Sequence, residues 1–379
     1  MRELTAGLVA EFSALSGGDA ETALAGFSRR FGGYRDGDFE SLIGPLEAVS
    51  GALEHLRRLG SLADEAPGQL ESALSVTAGF VDTLYRVGFG TALGLIAARA
   101  QGAGSEKFED VILRTCRAIA ELDSDSPVVV GTLNYDGLLH AGFLEVATTS
   151  GMCDLAAGLE GIEASPDGTT HCLAHPLRYE DDLPERDIQL LNLHGSLSWL
   201  ADKETRAAWK FELSDLRSMD YWSALKRGSA TLFPMVVLTN RKAEMTLQWP
   251  FSLAYDVFER RMATSDRWLV AGYRFGDEPV NSALKRAASL RSSMEREPPE
   301  VLVVTTTTAD SGMRGKVAQA LGIPLAQVQV ETCRRRLNTG HLSPAENWTV
   351  FRSEAQVRTD ARVDPATRGG RGVRSAGLG

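Results

Sequence analysis

Pro127-Val128-Val129-Val130-Gly131-Thr132-Leu133-Asn134-Tyr135-Asp136 is the stretch that decides how this chain of 379 residues folds. Three consecutive valines predict a strand buried on both faces, because β-branched side chains fit a pleated, covered sheet. Polarity then changes abruptly at Asn134 and Asp136. Leu138, Leu139, Phe143 and Leu144 follow at helical spacing. Two polar groups are thus expected where a buried strand gives way to a helix. In open α/β sheets that is where ligands bind.

The same texture continues toward the C-terminus. Further strands are expected at Ile188 to Leu193, Met235 to Leu238, Arg267 to Ala271, Val301 to Val304 and Gln327 to Val330. Helices fit the gaps at Phe251 to Met262, Val280 to Leu290 and Met313 to Leu321. Strands alternating with helices predict an α/β fold with a mostly parallel sheet covered by helices on both faces. The segment 151–185 is polar and rich in turn formers, and reads as a loop-rich insertion within an α/β core over 123–355.

Residues 1–122 read as a helical N-terminal region. Leu8, Phe12 and Leu15 share one face of a first helix, and residues 32–37 form a loop. Asp38 can cap a helix through Leu46, which Pro45 should kink or break. Helices follow over Leu53 to Leu59, Leu70 to Arg86, Thr91 to Arg99 and Phe108 to Leu122. The tail 356–379 has too few apolar residues to bury a core and reads as disordered.

Composition limits the function classes. The chain is 43 % hydrophobic and 24 % charged, as in an ordinary soluble globular protein. A formal net charge of −10 argues against general nucleic-acid or anionic-membrane binding. Four cysteines make no disulfide framework. The first residues lack a basic-then-apolar signal, and the most apolar segment, Val76 to Ala98, contains Asp82 and Arg86, so it is a poor membrane span. The expected compartment is the cytoplasm.

Three predicted strand ends stop at groups able to meet a polar ligand. These are Thr132 with Asn134 and Asp136, then His194 with Gly195 and Ser196, then Gly272, Tyr273 and Asp277. A parallel sheet gathers its carboxyl ends on one edge, so they can converge. Singly, each has an ordinary explanation: an asparagine capping a helix, a structural histidine, a Gly-Ser turn.

Together, Thr132-Leu133-Asn134-Tyr135-Asp136, Leu193-His194-Gly195-Ser196 and Gly272-Tyr273-Arg274-Phe275-Gly276-Asp277 with Asn281 resemble the sirtuin-like superfamily. The nearest branch is the bacterial sirtuin-like domains of antiviral defence systems. The resemblance implies a Rossmann-like fold and NAD as substrate or ligand. It assigns Asn134 to the nicotinamide ribose or an attacking water, and Asp136 to the nicotinamide carboxamide side. His194 becomes the general base, which Asp136 is expected to orient. Gly272 and Tyr273 line the adenosine side, and Thr132, Gly195, Ser196 and Asp277 complete the cofactor-binding set.

The chain departs from that family in two ways. The family's first strand leads into a Gly-Ala-Gly loop that cradles pyrophosphate, whereas this chain begins in a predicted helix. Gly102-Ala103-Gly104-Ser105 follows a helical run and reads as a linker. A start codon placed downstream, or genuine loss, would explain this. The chain also has no CxxC. Cys153, His171, Cys172 and His175 are poorly spaced for a tetrahedral site, so no zinc or other metal is expected, and Cys116 and Cys333 read as ordinary thiols. Asn240-Arg241-Lys242 and Arg334-Arg335-Arg336 read as solvated charges. Trp249-Pro250-Phe251 and Tyr255 read as a core seam, and Thr305 to Thr308 as a strand end that reaches adenosine or caps a turn.

The expected function is hydrolysis of NAD to nicotinamide and ADP-ribose in antiviral defence, an NAD glycohydrolase activity. The alternative is a degenerate module that binds NAD or ADP-ribose, or serves assembly. Lysine deacylation is a weaker third reading. Expected partners are NAD or ADP-ribose, and a second copy of the chain or a defence-system protein.

Overall fold

In the computed structural model the described residues are 40–61, 68–101, 112–120, 127–146, 151–156, 160–179, 183–184, 186–202, 205, 207–237, 242–305 and 311–332. The first predicted helix, the loops at 32–37 and 102–105, Asp38, Leu238, Asn240, Arg241, Thr306 to Thr308, Cys333, Arg334 to Arg336 and the tail lie outside them.

The described chain is a mixed α/β protein with two parallel sheets. One has the order β1 (Val128–Thr132), β5 (Ile188–Asn192), β2 (Met152–Cys153). The other runs β11 (Val328–Thr332), β10 (Glu300–Thr305), β9 (Arg267–Ala271). The apolar runs at 128, 188, 267, 301 and 328 are therefore parallel strands, as their β-branched composition predicts. All of β5 is buried, and alternate residues face different cores. Ile188 and Leu190 pack with Cys116 and Phe143, from α3 (Arg114–Ala120) and α4 (Leu138–Val146). Leu191 and Leu193 join Ala254 and Val257 of α8 (Phe251–Thr264). So β5 is covered by helices on both faces.

The third sheet departs from the expectation of a mostly parallel sheet. It has five antiparallel strands in the order β3 (Ile162–Ala164), β4 (Cys172–Pro176), β7 (Ala208–Phe211), β6 (Gly195–Ala201), β8 (Phe233–Val236). The strand expected at Met235 to Leu238 is β8, in this sheet. The connections 165–171 and 202–207 are too short for the crossover that parallel pairing requires, so the neighbours run antiparallel. The supposedly loop-rich segment 151–185 supplies β2, β3 and β4. Its short strands, rich in polar and turn residues, hide the period-two signal.

Two helical readings also change. Leu70 to Arg99 forms one helix, α2 (Gly68–Gln101), and Pro45 sits inside the continuous helix α1 (Glu40–Ser61). As the sixth residue of α1, Pro45 leaves the carbonyl four residues earlier without its backbone donor, and the helix continues through it. Among the described residues one helix, over Ser72–Ala100, is long and apolar enough to cross a membrane by length and composition. Within it, Arg86 pairs with Asp82 at 2.7 Å. Phe89, Ala92, Leu93 and Ala97 are buried against Leu197 and Leu200 of β6 and Tyr221 and Leu225 of α6 (Tyr221–Arg227).

Two further helices frame the sites below: α5 (Leu213–Ser218) after β7, and α7 (Lys242–Met245) after β8. The second parallel sheet is flanked by α9 (Glu278–Ser293) and α10 (Ser311–Leu321), which bury Val280, Leu284, Val317 and Leu321 in the α8 cluster.

Candidate functional site

The parallel register of β1 and β5 pairs Thr132 with Asn192, and the Leu193 N–H donates to the Thr132 carbonyl at 3.0 Å. Asn134 and His194 therefore leave the same rim of one sheet. Their surroundings differ. Asn134 is exposed, and its backbone N–H donates to Thr132 Oγ1 at 3.1 Å. His194 is 4 % exposed.

Gly195 forces the chain to turn at this point. Its φ is +81°, and a Cβ there would lie 1.9 Å from the Met235 carbonyl oxygen on β8. Only glycine tolerates both the left-handed backbone and that contact. The Val237 N–H donates to the His194 carbonyl at 2.9 Å, and the Leu197 N–H to the Tyr135 carbonyl at 2.9 Å. The Gly-Ser letters thus mark a corner clamped between β1 and β8, which holds His194 in place.

The imidazole meets the carboxylate at the start of α9, in the loop that follows β9. His194 Nε2 lies 3.5 Å from Asp277 Oδ2, and Lys242 Nζ lies 3.3 Å from the same oxygen. Asp277 Oδ1 meanwhile accepts from the Val280 N–H at 3.3 Å and caps α9. Burial pushes the Asp277 carboxyl up, but His194, Lys242 and the Val280 N–H outweigh it and hold the group below the ordinary carboxylate range.

The loop that presents Asp277 is rigidly tied. The Tyr273 hydroxyl lies 2.9 Å from the Asp277 carbonyl and 2.8 Å from Asn281 Oδ1, and Asn281 Nδ2 donates to the Phe275 carbonyl at 3.0 Å. Between them Phe275 adopts φ 56°, a left-handed backbone that is costly for a bulky residue. Burial, then the Asp277 charge, push the Tyr255 hydroxyl upward. His194 Nε2 and Tyr255 Oη are both buried without a hydrogen-bond partner. Apart from the long Nε2 contact to Asp277, these two polar atoms have no partner, so a ligand here can complete the bonding.

The nine residues read from the sequence as catalytic or cofactor-binding fall into separate groups. His194 and Asp277 meet directly, Tyr273 supports Asp277, and Gly272 turns the chain at φ +67° beside them. Thr132 is buried at the end of β1 and accepts from Asn134. Asp136 and Ser196 instead line a separate cavity. The expectation that Asp136 orients His194 gives way here: the carboxylate beside the imidazole is Asp277, while Asp136 Oδ1 accepts from the Leu138 N–H at 3.0 Å. Asp136 lies two residues before α4 and is drawn into local capping.

Lys242, read as a solvated charge, reaches Asp277; Tyr255, read as core, is buried but carries an unpaired hydroxyl. Trp249 stacks on Tyr179 with ring centroids 4.3 Å apart, and its indole N–H donates to the Arg178 carbonyl. Thr305 is buried at the end of β10. Cys116 is buried, which pushes its thiol to about 12. Among the described residues no three His, Cys, Asp or Glu side chains group as metal ligands.

No family model matches this chain, and no curated protein matches it.

Proposed function

We propose that the chain is a sirtuin-like, Rossmann-like domain that binds NAD and hydrolyses it to nicotinamide and ADP-ribose, serving bacterial antiviral defence. The observation that carries the reading is the buried His194 imidazole at a strand end. It stands with Nε2 3.5 Å from Asp277 Oδ2, on the rim from which Asn134 projects. In this reading the two parallel sheets together form the Rossmann-like core, and the apolar cluster around α8 runs across both.

The chemistry asks little of acid catalysis. Breaking the C1′–N bond of NAD turns a cationic pyridinium into neutral nicotinamide and leaves an oxocarbenium-like ribose, as in glycoside hydrolysis. The protein must hold the ribose, stabilise its positive charge and deliver water. Asn134 positions the ribose or the water. The water oxygen bonds C1′, and His194 takes the proton, which then passes to solvent. Asp277 holds the imidazole through Nε2, so Nδ1 is the nitrogen that takes the proton, while Lys242 keeps Asp277 ionised.

The test is nicotinamide release by the full chain. His194→Ala and Asn134→Ala should each abolish it, and full activity in both variants would end the reading. A second reading, a module that binds NAD or ADP-ribose without turnover, is favoured by the separation of Asp136 and Ser196 from the His194–Asp277 pair. Calorimetric binding of ADP-ribose with no nicotinamide release would select it.

A further inference from the structure

A cavity of about 650 Å³ opens where the start of α4, the β5–β6 corner and α5 meet. Neither Asn134 nor His194 lines it. Its most buried polar lining groups are Asn192, Ser196, Ser198 and Asp154, which are 4 to 8 % exposed. The two serines satisfy each other, with Oγ atoms 2.9 Å apart. The Asn192 carboxamide has no hydrogen bond within the described residues, and neither has Asp136 Oδ2. Both groups open onto the cavity, where a ligand can meet them.

Beside them Lys210 Nζ lies 2.6 Å from Asp154 Oδ2 and 2.6 Å from His140 Nε2. Burial, then the Lys210 charge, lower the His140 pKa to about 4, so the ring is neutral at pH 7. With Nε2 accepting from Lys210, the ring proton sits on Nδ1 and is free to donate. The charges in this lining cancel. Lys210 is matched by Asp154, and the lining also carries one acid, Glu212, and one further base, Arg217. Burial raises the Asp136 pKa toward the neutral form. Donors and acceptors are present, but no excess positive charge is available to hold an anion.

We infer that this cavity binds a neutral, hydroxyl-bearing ring, a pentose taken either free or as the sugar of a nucleoside, through Asn192, Asp136 and His140. A hydroxyl donates one hydrogen bond and accepts two, so neighbouring hydroxyls can satisfy a carboxamide, a carboxyl oxygen and an imidazole N–H together. Leu138, Leu144 and Leu213 supply apolar wall for the ring carbons. The inference does not rest on NAD hydrolysis.

The experiment titrates the full chain with D-ribose, uridine and D-ribose 5-phosphate, read by saturation-transfer NMR and calorimetry. Ribose and uridine should bind saturably, with the phosphate ester no tighter than ribose. Asn192→Leu removes the buried carboxamide, and Ser214→Trp plugs the exposed mouth without touching the core. Each should weaken binding by about tenfold or more, and His194→Ala should bind as wild type. The idea is overturned if neither neutral ligand binds, if the phosphate ester binds tighter, or if both cavity variants bind normally. Loss of binding in His194→Ala with Ser214→Trp unaffected would place the sugar at the His194 rim. That outcome ends this inference and leaves the NAD reading standing.

Discussion

His194 Nε2 and Asp277 Oδ2 lie 3.5 Å apart, and the other oxygen of the same carboxylate caps helix α9. One side chain therefore does two jobs, holding a helix start and a candidate base. The two can be separated. Asp277→Ser keeps a good helix cap but removes the negative charge beside the imidazole. Under the NAD-hydrolase reading it should cut nicotinamide release by about tenfold or more, because one charge-assisted contact is worth about 1.5–3 kcal/mol. Thermal unfolding should shift little. Unchanged turnover would show that Asp277 serves the helix alone.

Lys210 is half of a buried ion pair. Lys210→Met leaves Asp154 uncompensated at 5 % side-chain exposure. Breaking one partner of such a pair costs about 3–5 kcal/mol, whereas replacing both with apolar residues is often neutral. Denaturant unfolding should show a large loss for Lys210→Met and recovery of most of it in Lys210→Met with Asp154→Leu. A single variant as stable as wild type would contradict the pairing.

His140 predicts a pH dependence. Its folded pKa of about 4 lies below the ordinary value of 6.5. Between those values the unfolded chain binds a proton that the folded chain refuses, so stability rises with pH there. As pH falls from 6.5 toward 4 this residue should cost on the order of 3 kcal/mol. Urea titrations across that window should lose this slope in His140→Gln, and an identical slope in the variant would refute the assignment.

Gly195→Ala should be among the most damaging single changes in the chain. The added methyl meets the Met235 carbonyl at 1.9 Å on a backbone of φ +81°. The corner must open, at a cost of about 4 kcal/mol or more. Circular dichroism and thermal unfolding of the variant should show a strongly destabilised or misfolded protein.

What the residues alone determined was local. The runs at 128, 188, 267, 301 and 328 became parallel strands, and Asn134 and His194 fell just past strand ends, while Asp277 fell at the start of α9. Burial of a strand on two faces leaves a continuous apolar run in the sequence, and its end is equally visible. The antiparallel sheet was hidden because its short strands carry mixed patterns, and its pairing follows from loop lengths and not from any single segment.

The partner of His194 was decided only in three dimensions. Asp136 is the nearer carboxylate in the motif, but local capping claims it, and Asp277 arrives from the other parallel sheet. Of the cavity's lining the sequence pointed only to Asp136 and Ser196, and Asn192, His140, Asp154 and Lys210 went unseen. Each is a lone polar residue in its own segment, and their meaning comes from packing that removes water from all four together.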